Sequence, residues 1–143
     1  MVLVAKDILE KDFLSMPRDT ILFQAVQQMK TSRHGFVVVT NTEGKPVGIV
    51  TEWDIVAKVV AEGKDPKNVR LEELMTGDLI TVDPRVGIDE LSQFMATKGI
   101  RRVLVVDKGA VLGVITSRTV LARLKDYVDR VSTQIARLYS QTR

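Results

Sequence analysis

Two short stretches of this chain carry side chains suited to a sugar and a phosphate. Thr51 and Asp54 stand three residues apart, directly after the apolar run Val47-Gly48-Ile49-Val50. A hydroxyl and a carboxylate there lie at the first turn of a helix, where free N–H groups and the helix dipole favour phosphate oxygens. The carboxylate can also accept from the vicinal hydroxyls of a sugar. The same residue types make the commonest helix cap, and both roles fit this position. Arg101 and Arg102 are adjacent guanidiniums that can grip a phosphate through charge-assisted, bidentate hydrogen bonds, or form a solvated strand edge. Thr116 and Thr119 repeat the spacing of Thr51 and Asp54, but Thr119 offers a sugar only a hydroxyl contact. Catalysis has no comparable set. Zero cysteines remove a thiol nucleophile, disulfides and cysteine zinc sites, and His34, the single histidine, cannot build a metal centre. No Gly-x-x-x-x-Gly-Lys-Ser/Thr or Gly-x-Gly-x-x-Gly stretch occurs, so no catalytic residue, metal or cofactor is expected.

These residues sit at matching places because the chain repeats itself. Pro17-Arg18 recurs as Pro84-Arg85, Met29 as Met95, Phe36-Val37-Val38-Val39 as Arg102-Val103-Leu104-Val105, and Gly48-Ile49-Val50-Thr51 as Gly113-Val114-Ile115-Thr116, with an offset drifting from 67 to 65. Each copy opens on a brief apolar strand, Phe13 to Met16 or Leu79 to Val82, halted by Pro17 or Pro84. Ile21, Ala25, Val26 and Met29 then fall at helical spacing, as do Ile88, Leu91 and Met95. A β-branched hairpin follows in each, turning at Asn41 to Gly44 or at Asp107 to Gly109, and a second helix closes the unit, Asp54 to Ala61 or Thr119 onward. The unit is β-α-β-β-α, twice. The polar stretch Glu62-Gly63-Lys64-Asp65-Pro66-Lys67-Asn68 reads as a linker. The division expected is 1–62 for the first copy, 63–70 for the linker, 71–125 for the second copy and 126–143 for a helical extension. A unit of about 60 residues is marginal alone, so the copies should pack on each other.

Charge separates the body from the tail. Residues 1–116 hold 15 basic and 16 acidic side chains, and residues 117–143 hold six and two, so the net charge of +3 belongs to the tail. Nucleic acid is therefore not the expected partner. No apolar run approaches the roughly 18 residues of a membrane span, and a cytoplasmic protein is expected. In the tail, Leu121, Leu124, Val128, Val131, Ile135 and Leu138 follow the 3, 4 spacing of a helical seam. Arg118, Arg123, Lys125, Arg130, Arg137 and Arg143 form its polar side.

The ordered pattern of Pro-x-x-Thr-Ile, an Ala-to-Met helix, a hairpin with a turn glycine and Gly-Ile-Val-Thr-Glu-Trp-Asp-Ile resembles the cystathionine β-synthase (CBS) domain. Here it is present as a tandem pair, a Bateman module, over residues 7 to about 125. The resemblance implies an α/β fold of two pseudo-symmetric repeats packed sheet to sheet, with an extended C-terminal helix. It implies a stand-alone regulatory module, not an enzyme, that binds AMP, ADP, ATP or another adenosine compound between the repeats and signals to a separate regulated protein. A homodimer formed through the helices is expected. By family geometry the aspartate of one repeat shares a cleft with the hairpin of the other. The primary cleft would then combine Thr51, Trp53 and Asp54 with Val86, Gly87, Arg101, Arg102 and Val103. A secondary cleft would combine Thr20, Ala25, His34 and Gly35 with Thr116, Arg118 and Thr119. Within these, Trp53 either flanks the ligand or packs at a dimer surface or shields the helix start, and His34 either bonds adenine or lines the cleft, or is structural or exposed. The alternative function is an interaction protein with vestigial clefts, working through the basic helix on another protein or on nucleic acid.

Overall fold

The β-branched runs of the two copies become the central strands of two separate three-stranded sheets. The computed structural model describes residues 3–141. In the first sheet β1 (Leu14–Pro17) runs parallel to β2 (Phe36–Thr40), and β2 pairs antiparallel with β3 (Pro46–Thr51). The second sheet repeats this with β4 (Thr81–Val82), β5 (Arg102–Asp107) and β6 (Ala110–Thr116). Pro17 is tolerated because β1 is an edge strand, where its missing N–H breaks no ladder. The crossovers are α2 (Leu22–Ser32) and α5 (Ile88–Lys98), amphipathic helices that bury Leu22, Ala25 and Met29, or Leu91 and Met95.

Strand periodicity decides which side chains meet. Val37, Val39 and Val50 point to the helices of the first copy, and Val103, Val105 and Ile115 to those of the second. Their alternates Phe36, Val38, Leu104 and Val114 form a third buried cluster that joins the two sheets face to face. β2 and β5 are thus buried on both faces, which is why they read as continuous apolar runs rather than alternating ones.

The cores do not follow the division of the chain. Two short helices absent from the sequence expectation, α1 (Ala5–Ile8) and α4 (Leu71–Leu74), each complete the core of the other copy. Ala5 and Ile8 pack with Leu91, Val103 and Ile115, while Val69, Leu71 and Leu74 pack with Leu22, Val37 and Val59. Matching backbone bonds tie them down: Ala5 N–H to the Val86 carbonyl at 2.8 Å, and Leu71 N–H to the Thr20 carbonyl at 3.0 Å. The expected linker is therefore partly built in, with a 3-10 turn at Pro66–Asn68 and Val69 buried.

The closing helices differ from expectation as well. In the first copy α3 (Glu52–Ile55) starts two residues before Asp54 and widens into a π-turn at Val56–Val60, where Ala61 N–H reaches the Val56 carbonyl at 2.9 Å. In the second copy α6 (Ser117–Gln141) runs unbroken through the expected boundary at 126. Among the described residues no helix is long and apolar enough to cross a membrane, and no group of three or more His, Asp or Glu could hold a metal ion. Arg143 lies outside the described residues.

Candidate functional site

The leader of each copy crosses the hairpin of the other, and the two crossings make two clefts. Thr76 exchanges backbone hydrogen bonds with Ile49 on β3, at 2.9 and 3.0 Å, and Glu10 does the same with Val114 on β6, at 2.9 Å each way. The motif glycines make room for this. A Cβ on Gly48 would stand 2.5 Å from the Met75 sulfur, and one on Gly113 would stand 2.7 Å from the backbone oxygen of Glu10. Thr76 and Glu10 are thus equivalent positions, as are Arg101-Arg102 and Gly35-Phe36, Thr51 and Thr116, Trp53 and Arg118, and Asp54 and Thr119.

The first cleft is a cavity of about 190 Å³ lined by Ile49, Thr51, Thr76, Asp78, Leu79, Ile80, Arg101 and Arg102. It brings the strand-end hydroxyl of one copy to the arginine pair of the other. Asp54 lies behind Thr51 rather than on the wall. Its Oδ2 accepts from the Thr51 N–H at 2.9 Å and the Thr51 hydroxyl at 3.0 Å, and its own N–H donates to Thr51 Oγ1 at 3.2 Å. Its Oδ1 pairs with Lys58 Nζ at 3.2 Å, and Lys58 also donates to the Leu74 carbonyl. The structure thus shows the capping box, with the buried carboxylate engaged through both oxygens. Arg102 is half-buried over the Phe36 ring, 5.1 Å from its centre. Burial, and then the neighbouring Arg101, push its guanidinium below the usual arginine range.

The second cleft is larger, about 440 Å³, and lies between Thr116, Ser117 and Arg118 of one copy and Glu10, Arg33, Gly35, Phe36 and Glu52 of the other, with Arg101 and Arg102 reaching it too. Of the two clefts, this one has the volume that falls in the usual range of ligand pockets, about 300 to 1,000 Å³. Thr119 is buried behind Thr116: its N–H and hydroxyl meet Thr116 Oγ1 at 3.1 and 3.0 Å, and its hydroxyl donates to Glu10 Oε1 at 3.2 Å.

Several residues assigned from the sequence stand elsewhere. Val86 and Gly87 are covered by the N-terminal leader, Gly87 bridging to Val4, and line neither cleft. Val103 is a core residue on the helix side of β5, one strand position out of phase with the sheet interface. Trp53 is 72% exposed and borders neither cleft, while its equivalent Arg118 does line one. Ala25 is fully buried in the first core, and Thr20 gives its carbonyl to Leu71. His34 stands 3.4 Å from Asp12 and borders an open apolar groove of about 610 Å³ between α2 and α3, with Val26, Met29, Ile55 and Val56. Sequence reasoning missed Glu10, Arg33 and Glu52. For Glu10 a signal existed, since Asp7-Ile8-Leu9-Glu10 matches Glu73-Leu74-Met75-Thr76 at the same offset as the helices.

The CBS domain family matches residues 5–61 and 71–126. An uncharacterised protein of Methanopyrus kandleri, MK0525, is 32% identical over 116 residues, 80% of this chain and 59% of that protein. The chain spans 59, 39 and 25% of the lengths of the first curated relatives it matches. Among solved structures, a hexameric CBS-CP12 protein from bloom-forming cyanobacteria is 34% identical with a TM-score of 0.75, covering 85% of this chain and 67% of that one. The CBS domain pair of protein MJ0100, in complex with 5′-methylthioadenosine and S-adenosyl-L-methionine, is 30% identical with a TM-score of 0.74, covering 88% and 98%.

Proposed function

The chain belongs to the CBS domain family as a tandem pair, and from that premise we propose that it is a Bateman-type sensor of adenine nucleotides. AMP is the preferred ligand, with ADP and ATP as alternatives. The ligand sits between the copies, and a partner protein reads the arrangement it favours, which requires unequal affinity for two states. The carrying observation is the meeting of Thr51 with Arg101 and Arg102 on one cavity wall, hydroxyl and guanidiniums supplied by different copies. A ligand there bridges the two halves. That the related MJ0100 pair binds two adenosine compounds supports the same class of ligand. The role is non-catalytic and cytoplasmic in this reading. Calorimetric titration of AMP, ADP, ATP and S-adenosylmethionine into the full chain tests it: at least one gives binding heat and raises the melting temperature. No response to any of the four removes the reading.

Assembly belongs to the same proposal. Leu121, Leu124, Val128 and Ile135 are about half or more exposed along one face of α6, a seam that a second copy would cover. Val128→Glu is expected to turn a dimer into a monomer in sedimentation analysis. The basic side of the same helix supports the second reading, an interaction protein that works on nucleic acid or another chain. A gel shift that leaves DNA and RNA free at physiological salt removes its nucleic-acid form.

A further inference from the structure

The second cleft lacks the motif aspartate, yet a carboxylate stands at its helix start all the same. Resting on the nucleotide-sensing reading, we propose that Glu10 is the sugar-recognising carboxylate of this cleft, which takes a phosphorylated nucleoside. Glu10 occupies the backbone position of Thr76, but its longer side chain spans the wall to meet Thr119 at 3.2 Å. A hydroxyl–carboxylate cluster of Thr116, Thr119 and Glu10 results, chemically the counterpart of Thr51 with Asp54. The two carboxylates differ in availability. Both oxygens of Asp54 are engaged, by Thr51 and by Lys58, whereas among the described residues Thr119 is the sole hydrogen-bond partner of the Glu10 carboxylate. Glu10 has an oxygen to offer to a diol.

The phosphate side of the cleft is independent of this. Arg33, Arg101, Arg102 and Arg118 line the cavity, and none makes an ion pair within 4 Å among the described residues. Arg33 is held in the left-handed region at φ 61°, at the end of α2, where the second copy has Gly99 at φ 65°. A non-glycine residue is strained there, and its side chain gains the cavity wall in return.

Titration of AMP and of 2′,3′-dideoxy-AMP into the full chain, wild type and Glu10→Gln, tests the assignment. Gln retains an acceptor for Thr119 but not the charge, and thermal melting verifies that the variant folds. Wild type binds AMP in the second cleft and prefers it there to the dideoxy compound. Glu10→Gln weakens AMP at one site by about tenfold, the size expected of a charged hydrogen bond, and abolishes the preference there. Glu10→Ala behaves in the same way. AMP binding by wild type with the preference over the dideoxy compound intact in Glu10→Gln and Glu10→Ala overturns this inference alone. No AMP binding by wild type overturns it together with the sensing role of AMP.

Discussion

In the first cleft the carboxylate and hydroxyl of the helix start come from one segment, Thr51 to Asp54; in the second the carboxylate comes from the N-terminal leader paired alongside β6, 109 residues away in sequence from Thr119. The backbones are equivalent and the arginine pair borders both cavities, so the difference lies in a handful of side chains. A duplicated fold therefore preserves places, not residues. A group lost at one position can be replaced from another that faces the same cavity, and the substitution also changes how tightly the group is held. Asp54 is locked in a cap and supports its helix; Glu10 hangs from an isolated β-bridge and is tethered by one hydroxyl.

Several substitutions press on this contrast. Gly113→Ala places a Cβ against the backbone of Glu10, and is expected to lower stability by about 1–3 kcal/mol through overpacking. Gly48→Ala meets only the Met75 side chain, which can move, and should lose less. Equal losses in denaturant titrations would break the distinction between the two crossings. Asp54→Ala removes a capping box and should lose about 1–2 kcal/mol, whereas Thr119→Val, which deletes hydroxyl contacts alone, should lose about 0.5–1.5 kcal/mol. The same titrations rank them. Arg102→Ala should weaken AMP about tenfold in both clefts, roughly 1.4 kcal/mol, and leave unphosphorylated adenosine unaffected, as calorimetry can show. Smallest is Arg33→Gly: relief of the left-handed backbone should raise stability by up to about 1 kcal/mol while weakening AMP in the second cleft alone. A melting temperature that does not rise would mean the strain at Arg33 is negligible.

Much of this fold was legible in the sequence because its signals are local. The doubled valine runs, the Ala-to-Met helices and the turn glycines each follow from neighbours within a few residues, and together they imply two sheets packed face to face. The lining of the two cavities was legible in part, through Thr51, Arg101, Arg102, Gly35, Thr116 and Arg118, which sit at strand ends and helix starts where the repeat pattern is strongest. What escaped was set by long-range pairing. Val86 and Gly87 look available until the N-terminal leader is seen to cover them, and nothing near Val86 announces Ala5. Val103 was misplaced by a single strand position, which reverses the face of a side chain. Trp53 invites a role by its rarity, but the capping turn around Thr51 points it to solvent. Glu10 lay in a segment with too few residues to show helical periodicity, and its partner is at the far end of the second copy.

The exchange of leaders also gives the two copies unequal histories during synthesis. Every buried residue of the first core lies between Met16 and Leu74, so that core can close as soon as α4 has left the ribosome. The second core needs Ala5 and Ile8, made first, and Ile115, made more than a hundred residues later. The N-terminal leader must therefore stay unpaired while the first copy folds, an apolar thread of Leu3, Ala5, Ile8 and Leu9 whose docking surface does not yet exist. The first core closes within residues 16–74, borrowing only the helix that follows the linker, whereas the second is closed by Ala5 and Ile8, which precede the whole of the first sheet.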